Sequence, residues 1–281
     1  LKYLCLFLAL LIISAILGYI FKAHDNTQIV ENFNNFSNHV VLDNPEEIYD
    51  KFYTSIYDKL FESKTKNHFE LYNIKNYTID DEKFFKKEDV NFLDLGCGTG
   101  EHLKILKEYK FKFVGIDKSM KMLEKAREKM PEAMLVKGDF MVKKNFKNRE
   151  FTHITCFFFT LYYSTNPEKL FENVNYWLKP KGYFCVHLVN REKFDPVLEK
   201  SSSLIPLYNP QKHSEERLTK TKLKFNKFNY IADWEFNENK AIFEENFLFH
   251  DNSQHTRNIH KLYINSIDYY KKLAKSKGFE L

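Results

Sequence analysis

The chain has 281 residues, with 43 Lys and Arg against 38 Asp and Glu and a net charge of +5. That length suits one large α/β domain, and the charges are interspersed, so no basic block points to a nucleic-acid partner. Four cysteines, Cys5, Cys97, Cys156 and Cys185, show no metal-ligand spacing, so no metal site is expected and each reads as apolar filler rather than half of a disulfide.

From Tyr3 to Phe21 the chain carries no charge, and Lys2 and Lys22 bracket the run. The run just suffices to cross a bilayer as a helix. A cleaved signal peptide and a buried core helix are the rival readings. Against them, the run exceeds a usual signal core, no clear cleavage site follows, and no polar stripe interrupts it. The expectation is a single-pass transmembrane anchor over residues 1–24, a polar Asn-rich tether over 25–44, and one domain over 45–281. Flanking lysines on both sides leave the orientation open. Free thiols favour a domain facing the cytoplasm.

Asn44-Pro45-Glu46-Glu47 is a helix start, with a cap, a proline and acids in the first turn. Apolar residues at 48, 49, 52, 53, 56, 57, 60 and 61 then make one helical stripe carrying Tyr49, Tyr53 and Tyr57. The plain reading is a docking helix that buries aromatics.

The most informative stretch is Asn91-Phe92-Leu93-Asp94-Leu95-Gly96-Cys97-Gly98-Thr99-Gly100. An apolar strand ends in an acid, alternating glycines follow, and a helical segment runs over 101–109. Glycines let a ligand lie against bare backbone, and a helix N-terminus adds unpaired N–H groups. The spacing is not the dinucleotide G-x-G-x-x-G, and Glu101 stands where the third glycine of that fingerprint would fall. An acid there would repel a pyrophosphate. Asp94 is placed to take a cationic amino group.

This stretch resembles motif I of the class I S-adenosylmethionine-dependent methyltransferases, D-x-G-x-G-x-G. The resemblance continues through Phe111-Lys112-Phe113-Val114-Gly115-Ile116-Asp117, similar to the family's second strand, and Lys118-Ser119-Met120 with a helix to Lys129. Val136-Lys137-Gly138-Asp139-Phe140 resembles the third strand, residues 151–163 the fourth strand and its loop, and residues 183–188 the fifth strand after a turn over 177–182. The motifs stand in family order over residues 43–190. They imply a Rossmann-like, doubly wound, mostly parallel sheet with flanking helices, and S-adenosyl-L-methionine as cofactor. By resemblance the cofactor would be held by Asp94, Gly96, Cys97, Gly98, Thr99, Gly100, Asp117, Lys118, Met120, Gly138, Asp139, Phe140 and Phe157. Asp117 would take both ribose hydroxyls and Asp139 the adenine amino group. The helix after Asn44 would then act as a lid.

Asn166-Pro167-Glu168 repeats the helix-start signal, and Leu170, Phe171, Val174, Trp177 and Leu178 form its apolar face. Beyond residue 190 the family pattern is interrupted by an insertion over 190–255. Within it, residues 223–249 alternate apolar and polar about a turn at 237–240, which reads as an antiparallel hairpin. By resemblance such an insertion forms the acceptor pocket, a helix over 261–276 follows, Gly278-Phe279 starts the sixth strand, and the last two strands are absent from this chain.

Methyl transfer is an in-line displacement from a good leaving group, so proximity supplies most of the catalysis and a base is needed only for acceptors that must lose a proton. Candidates on the acceptor side are Tyr162, Tyr163, His187, Asn190 and Arg191, with His187 and Tyr163 as the catalytic choices. The plainer reading of His187 is a hydrogen-bonded strand residue, and of His102 a surface helix residue. Adenine and glutamine N-methyltransferases of this fold carry (N/D)-P-P-(Y/F) where this chain reads Phe157-Phe158-Phe159-Thr160. Cytosine enzymes use Pro-Cys where it reads Thr155-Cys156. The expected acceptor is therefore an N or O group on a small molecule, lipid or protein. The competing readings are an NAD-type oxidoreductase on a related sheet, which the glycine spacing opposes, and a non-catalytic S-adenosylmethionine-binding module.

Overall fold

The computed structural model describes residues 36–194 and 217–281. The anchor expected over residues 1–24 lies outside these, as does the tether to residue 35. Among the described residues no helix is long and apolar enough to cross a membrane, so no described helix takes the anchor's place.

The first described strand, β1 (His39–Leu42), falls in the stretch expected to be tether. Helices α1 (Pro45–Ile48) and α2 (Lys51–Phe61) follow where one helix was expected. Asn44 starts α1 as read, its side chain accepting from the Glu46 N–H at 3.1 Å. The break comes at Asp50, whose carboxylate accepts from the Tyr53 N–H at 2.7 Å and caps a new helix. A short acidic side chain satisfies free N–H groups better at a helix start than inside one. A third helix, α3 (Lys64–Thr78), has no counterpart in the sequence reading.

The central sheet holds β2 (Asn91–Leu95), β3 (Lys112–Asp117), β4 (Met134–Lys137), β5 (Phe151–Cys156) and β6 (Leu178–Val186). Their order is β4-β3-β2-β5-β6 and every neighbouring pair is parallel. Helices α4 (Glu101–Glu108), α5 (Met120–Lys129) and α6 (Pro167–Trp177) lie between them in sequence. All six residues of β5 are buried, as a parallel strand covered on both faces requires. The turn expected over 177–182 is taken into β6 as an irregularity: pairing jumps from Phe151–Leu178 to His153–Tyr183, with Lys181 at φ +65°. Trp177 is fully buried and donates its indole N–H to the Lys143 carbonyl at 2.8 Å. Each such large apolar side chain contributes roughly 1.5–3 kcal/mol by leaving water.

A second sheet follows: β7 (Thr221–Lys224), β8 (Phe228–Asn237), β9 (Lys240–Phe249) and β10 (His255–Tyr263), joined by β1 in the order β1-β10-β9-β8-β7. The hairpin expected over 223–249 is β8 and β9, turning at Glu238-Asn239. The helix expected from residue 261 begins only at Ile267, as α7 (Ile267–Ser276), with Ser266 as its cap. Residues 255–263 escape a hydrophobic reading because four of the five side chains they bury, His255, Thr256, Asn258 and His260, are polar, with Leu262 the apolar one. Gly278, at φ +86°, ends α7, and Phe279 starts no strand. It packs its ring 5.9 Å from Phe171 and 6.0 Å from Phe184.

Helix α2 joins the two sheets. Its Tyr53 ring lies 5.9 Å from Phe247 on β9, while Asp58, on the same helix, pairs with Lys129 of α5 at 2.7 Å. The stripe of tyrosines therefore docks the helix and also walls the site.

Candidate active site

Sheet order reverses between β2 and β5, and ligands of open α/β sheets bind outside the carboxyl ends of strands at such a point. Asp94 on β2 pairs in register with Thr155 on β5 and accepts its hydroxyl at 2.7 Å on Oδ1. Burial pushes the Asp94 carboxyl above its ordinary range. A cavity of about 740 Å³ opens here, bounded by Asp94, the glycine turn, Asp117, α2 and the second sheet.

The glycine turn is pinned to β3 by the Gly96 and Cys97 N–H groups, which donate to the Ile116 carbonyl at 2.8 and 3.1 Å. Gly96 sits at φ +64°, and a Cβ there would meet Thr160 at 2.5 Å, so both conformation and packing demand glycine. Gly98 differs. At φ +53° its missing Cβ points at open space, with nothing within 4 Å, so bare backbone faces the cavity. Its N–H donates to Asp117 Oδ2 at 2.9 Å, and the Ser119 N–H donates to Oδ1 at 2.8 Å. Burial raises the Asp117 pKa, and these two donors offset part of the rise. Each carboxylate oxygen keeps a second lone pair for a ligand.

Asp139 also borders the cavity. One oxygen accepts from the Met141 N–H at 2.8 Å, and the other pairs with Lys118 at 2.9 Å. Cys97, Thr99, Phe140 and Phe157 also line the space. Three expected residues stand apart. Gly100, at φ +83°, faces α5, where a Cβ would meet Ala126 at 3.1 Å, rather than the cavity. Met120 faces outward, its sulfur 3.8 Å from the Arg127 guanidinium, because Ser119 rather than Met120 turns toward the cavity at the start of α5. Gly138 lies behind the wall, its N–H donating to the Asp117 carbonyl at 3.0 Å.

His187 is not placed as a free base. Its Nδ1 accepts the Phe158 N–H at 2.8 Å and its Nε2 faces Glu70 at 2.9 Å, so both nitrogens are engaged. His102, expected at the surface, pairs with the other Glu70 oxygen at 2.8 Å. Burial works to raise the Glu70 pKa, but the hydrogen bonds from His102 and His187 outweigh it and hold the carboxyl well below its ordinary range. The Phe157 ring lies between the two histidines, 4.5 and 4.7 Å away.

Among the other acceptor-side candidates, Tyr162 is fully buried and accepts the Val189 N–H at 2.7 Å, a structural role. Asn190 orders its own turn by accepting from the Glu192 N–H at 3.1 Å, and neither it nor Arg191 borders the cavity. Tyr163 does. Its hydroxyl lies 2.7 Å from His260 Nδ1 and 3.1 Å from the Tyr49 hydroxyl. The aromatic face of the hairpin reaches the same space through Trp234 and Phe243, with rings 4.6 Å apart and Trp234 5.1 Å from Phe159.

Sequence reasoning missed Glu70, Glu245 and His260. One of these left a readable signal: Glu245 alternates with Phe243 and Phe247 on the inward face of β9, an acid where the pattern calls for an apolar residue. Among the described residues no cluster of His, Cys, Asp or Glu has metal-binding geometry, and Cys97, Cys156 and Cys185 are free thiols.

Residues 93–186 match the family model described as a methyltransferase domain. The fold is that of S-adenosylmethionine-dependent methyltransferases. One such enzyme from Clostridium acetobutylicum has a TM-score of 0.58 at 22% identity, covering 80% of this chain and 86% of that one. CalS10, an S-adenosylmethionine-bound amino pentose methyltransferase from Micromonospora echinaspora, has a TM-score of 0.58 at 17% identity, covering 81% and 88%. KedS8, a sugar N-methyltransferase from a Streptoalloteichus species, has a TM-score of 0.59 at 15% identity, covering 84% and 86%. In sequence, the Methanocaldococcus jannaschii protein MJ1252 is 36% identical over 138 residues, 48% of this chain and 50% of that one. The chain thus spans about half the length of this curated relative.

Proposed function

We propose that the protein is an S-adenosylmethionine-dependent methyltransferase acting on an N or O group of a small molecule. The carrying observation is Gly98: bare backbone on open space, with its N–H fixing Asp117 beside it. A cofactor with an amino-acid end and a ribose suits this cradle, with Asp94 toward the ammonium and Asp117 toward the ribose hydroxyls. Asp139 borders the adenine end. The bound cofactor supplies an electrophilic methyl carbon on a sulfonium. The chain's own residues orient it, and Phe61, Phe159, Trp234 and Phe243 exclude water from the methyl-bearing end. That aromatic enclosure favours a small molecule over a lipid or protein side chain. The likeness to CalS10, an amino pentose methyltransferase, and to KedS8, a sugar N-methyltransferase, supports the same reading.

Titration calorimetry with S-adenosylhomocysteine and with NAD tests the cofactor, and binding of NAD alone would overturn the reading. Incubation with methyl-labelled S-adenosylmethionine and separated metabolite, lipid and protein fractions tests the acceptor, with label expected in the metabolites. The catalytic unit is read as residues 45–281, with residues 1–24 as a membrane tether. Sedimentation of the intact chain with membranes, lost on removal of residues 1–24, tests the tether.

A further inference from the structure

We propose that Tyr163, His260 and Glu245 form a proton-accepting line at the acceptor end of the cavity, in which His260 takes the proton released by the methylated group. The inference rests on the methyltransferase reading and adds the class of acceptor: a protic N–H or O–H nucleophile that must lose its proton.

Glu245 is fully buried on the inward face of β9. The Tyr53 and Tyr230 hydroxyls donate to it at 2.6 and 2.8 Å, and His260 Nε2 lies 2.7 Å from the same oxygen that Tyr53 meets. Among the described residues no Lys or Arg pairs with it. A buried acid without a fixed cation costs several kcal/mol. The same strand positions on either side carry Phe243 and Phe247, so packing alone asks for no acid here. Strained electrostatics of this kind cluster at functional sites.

The partners set the direction of the line. An accepting carboxylate oxygen at Nε2 assigns the ring proton to that nitrogen. Nδ1 then presents a lone pair to Tyr163, which donates at 2.7 Å. Tyr163, Tyr49 and His260 all border the cavity. The groups facing His260 are Tyr163 from the turn after β5, Glu245 from β9, and the Tyr49 and Tyr53 rings at 6.1 and 6.3 Å, with Phe243 the apolar neighbour at 5.3 Å. Burial holds the Tyr163 phenol far above its ordinary range, so it does not act as a free phenolate. It relays instead.

The step balances as follows. The acceptor's lone pair forms the bond to the methyl carbon while the carbon–sulfur bond breaks and its electrons go to sulfur. The acceptor's proton passes to Tyr163 Oη as the Tyr163 proton passes to His260 Nδ1. Glu245 positions the imidazole and offsets its new charge, the logic by which a carboxylate orients a histidine base. Tyr163 is the residue that touches the acceptor. His260 and Glu245 act through it.

The test is long-range proton–nitrogen NMR of the His260 ring in protein saturated with S-adenosylhomocysteine, paired with methyl transfer to the fraction that takes label. Near neutral pH the proton is expected on Nε2 with Nδ1 bare, and Glu245→Gln should abolish that preference. Tyr163→Phe and His260→Gln should each lower kcat by about 10²–10⁴-fold, the range for general acid–base catalysis, with S-adenosylhomocysteine affinity unchanged. Glu245→Gln should lower kcat at constant KM and displace the acid limb of the pH profile. A proton on Nδ1, or on both nitrogens, overturns the proposal, as does full activity in Tyr163→Phe. Absence of S-adenosylhomocysteine binding by the unaltered protein would overturn the methyltransferase reading, and the line with it.

Discussion

Glu70 on α3 reaches His187 beyond the end of β6 at 2.9 Å, and this contact clamps a helix outside the central sheet to the loop that closes the cavity. The clamp continues into that loop, because the same imidazole accepts the Phe158 N–H at 2.8 Å.

Removing the clamp should cost stability more than binding. Glu70→Ala leaves His102 and His187 facing a void and loses charge-assisted hydrogen bonds. A loss of about 1.5–3 kcal/mol is expected, the scale of hydrogen bonds to charged groups. Urea unfolding would measure it. Because the folded Glu70 carboxyl is held low, its contribution is present above the ordinary carboxylate pKa and fades as pH falls through the folded value.

Asp117→Ala should weaken S-adenosylhomocysteine binding by roughly 1.5–3 kcal/mol, the range for hydrogen bonds to a charged group. The Gly98 and Ser119 N–H groups would lose their acceptor as well, so the turn itself should loosen. Calorimetry on the variant gives the affinity, and an unchanged value would count against Asp117 as a cofactor ligand.

Two glycines of the same turn should respond differently to alanine. Gly96→Ala drives a methyl into Thr160 and should lower the melting temperature clearly. Gly98→Ala meets no protein atom, so its folding cost should be only the roughly 1–2 kcal/mol of a left-handed non-glycine residue. Its added methyl projects into the cavity and should abolish cofactor binding. Thermal melts with and without S-adenosylhomocysteine separate the two effects.

The glycine turn and the acids that follow it were legible because their signals are local. Asp94 to Gly100 is one strand end and one turn, Asp117 ends β3, and Asp139 follows the end of β4 by two residues. On the far side of the cavity Tyr163 and the aromatic hairpin were legible, and the polar residues behind them were not. His260 sits on a strand whose buried face is polar, so no hydrophobic alternation marks it. Glu70 lies on a helix whose buried residues are Asn67 and Leu71, too few apolar side chains to mark a stripe. Asp50 split a helix that apolar spacing alone had read as continuous.

Acid should destabilise the protein well before carboxylates titrate. His153 is buried between the Phe92 and Tyr183 rings, and burial lowers its pKa from 6.5 to about 3. The unfolded chain therefore binds a proton that the folded chain refuses between these values. The His153 contribution to stability should be level above pH 6.5 and fall below it, by up to about 1.4 kcal/mol per pH unit. His255, lowered to about 4, acts with the same sign. Unfolding midpoints in urea across pH 4.5 to 8 should show this slope, and His153→Gln should reduce it.

The parallel pairing of β1 with β10 brings His39 and His255 together across 216 positions of sequence. Contacts of such separation carry the largest loop-closure cost and form late. The glycine turn and its carboxylates draw on residues 91–155, Asp94 being held by Thr155, whereas Trp234, Phe243 and His260 come from strands β8, β9 and β10. During synthesis, then, the strands that carry the glycine turn emerge before those that carry the far wall, and a chain interrupted before residue 255 would lack His260 and the strand that joins β9 to β1.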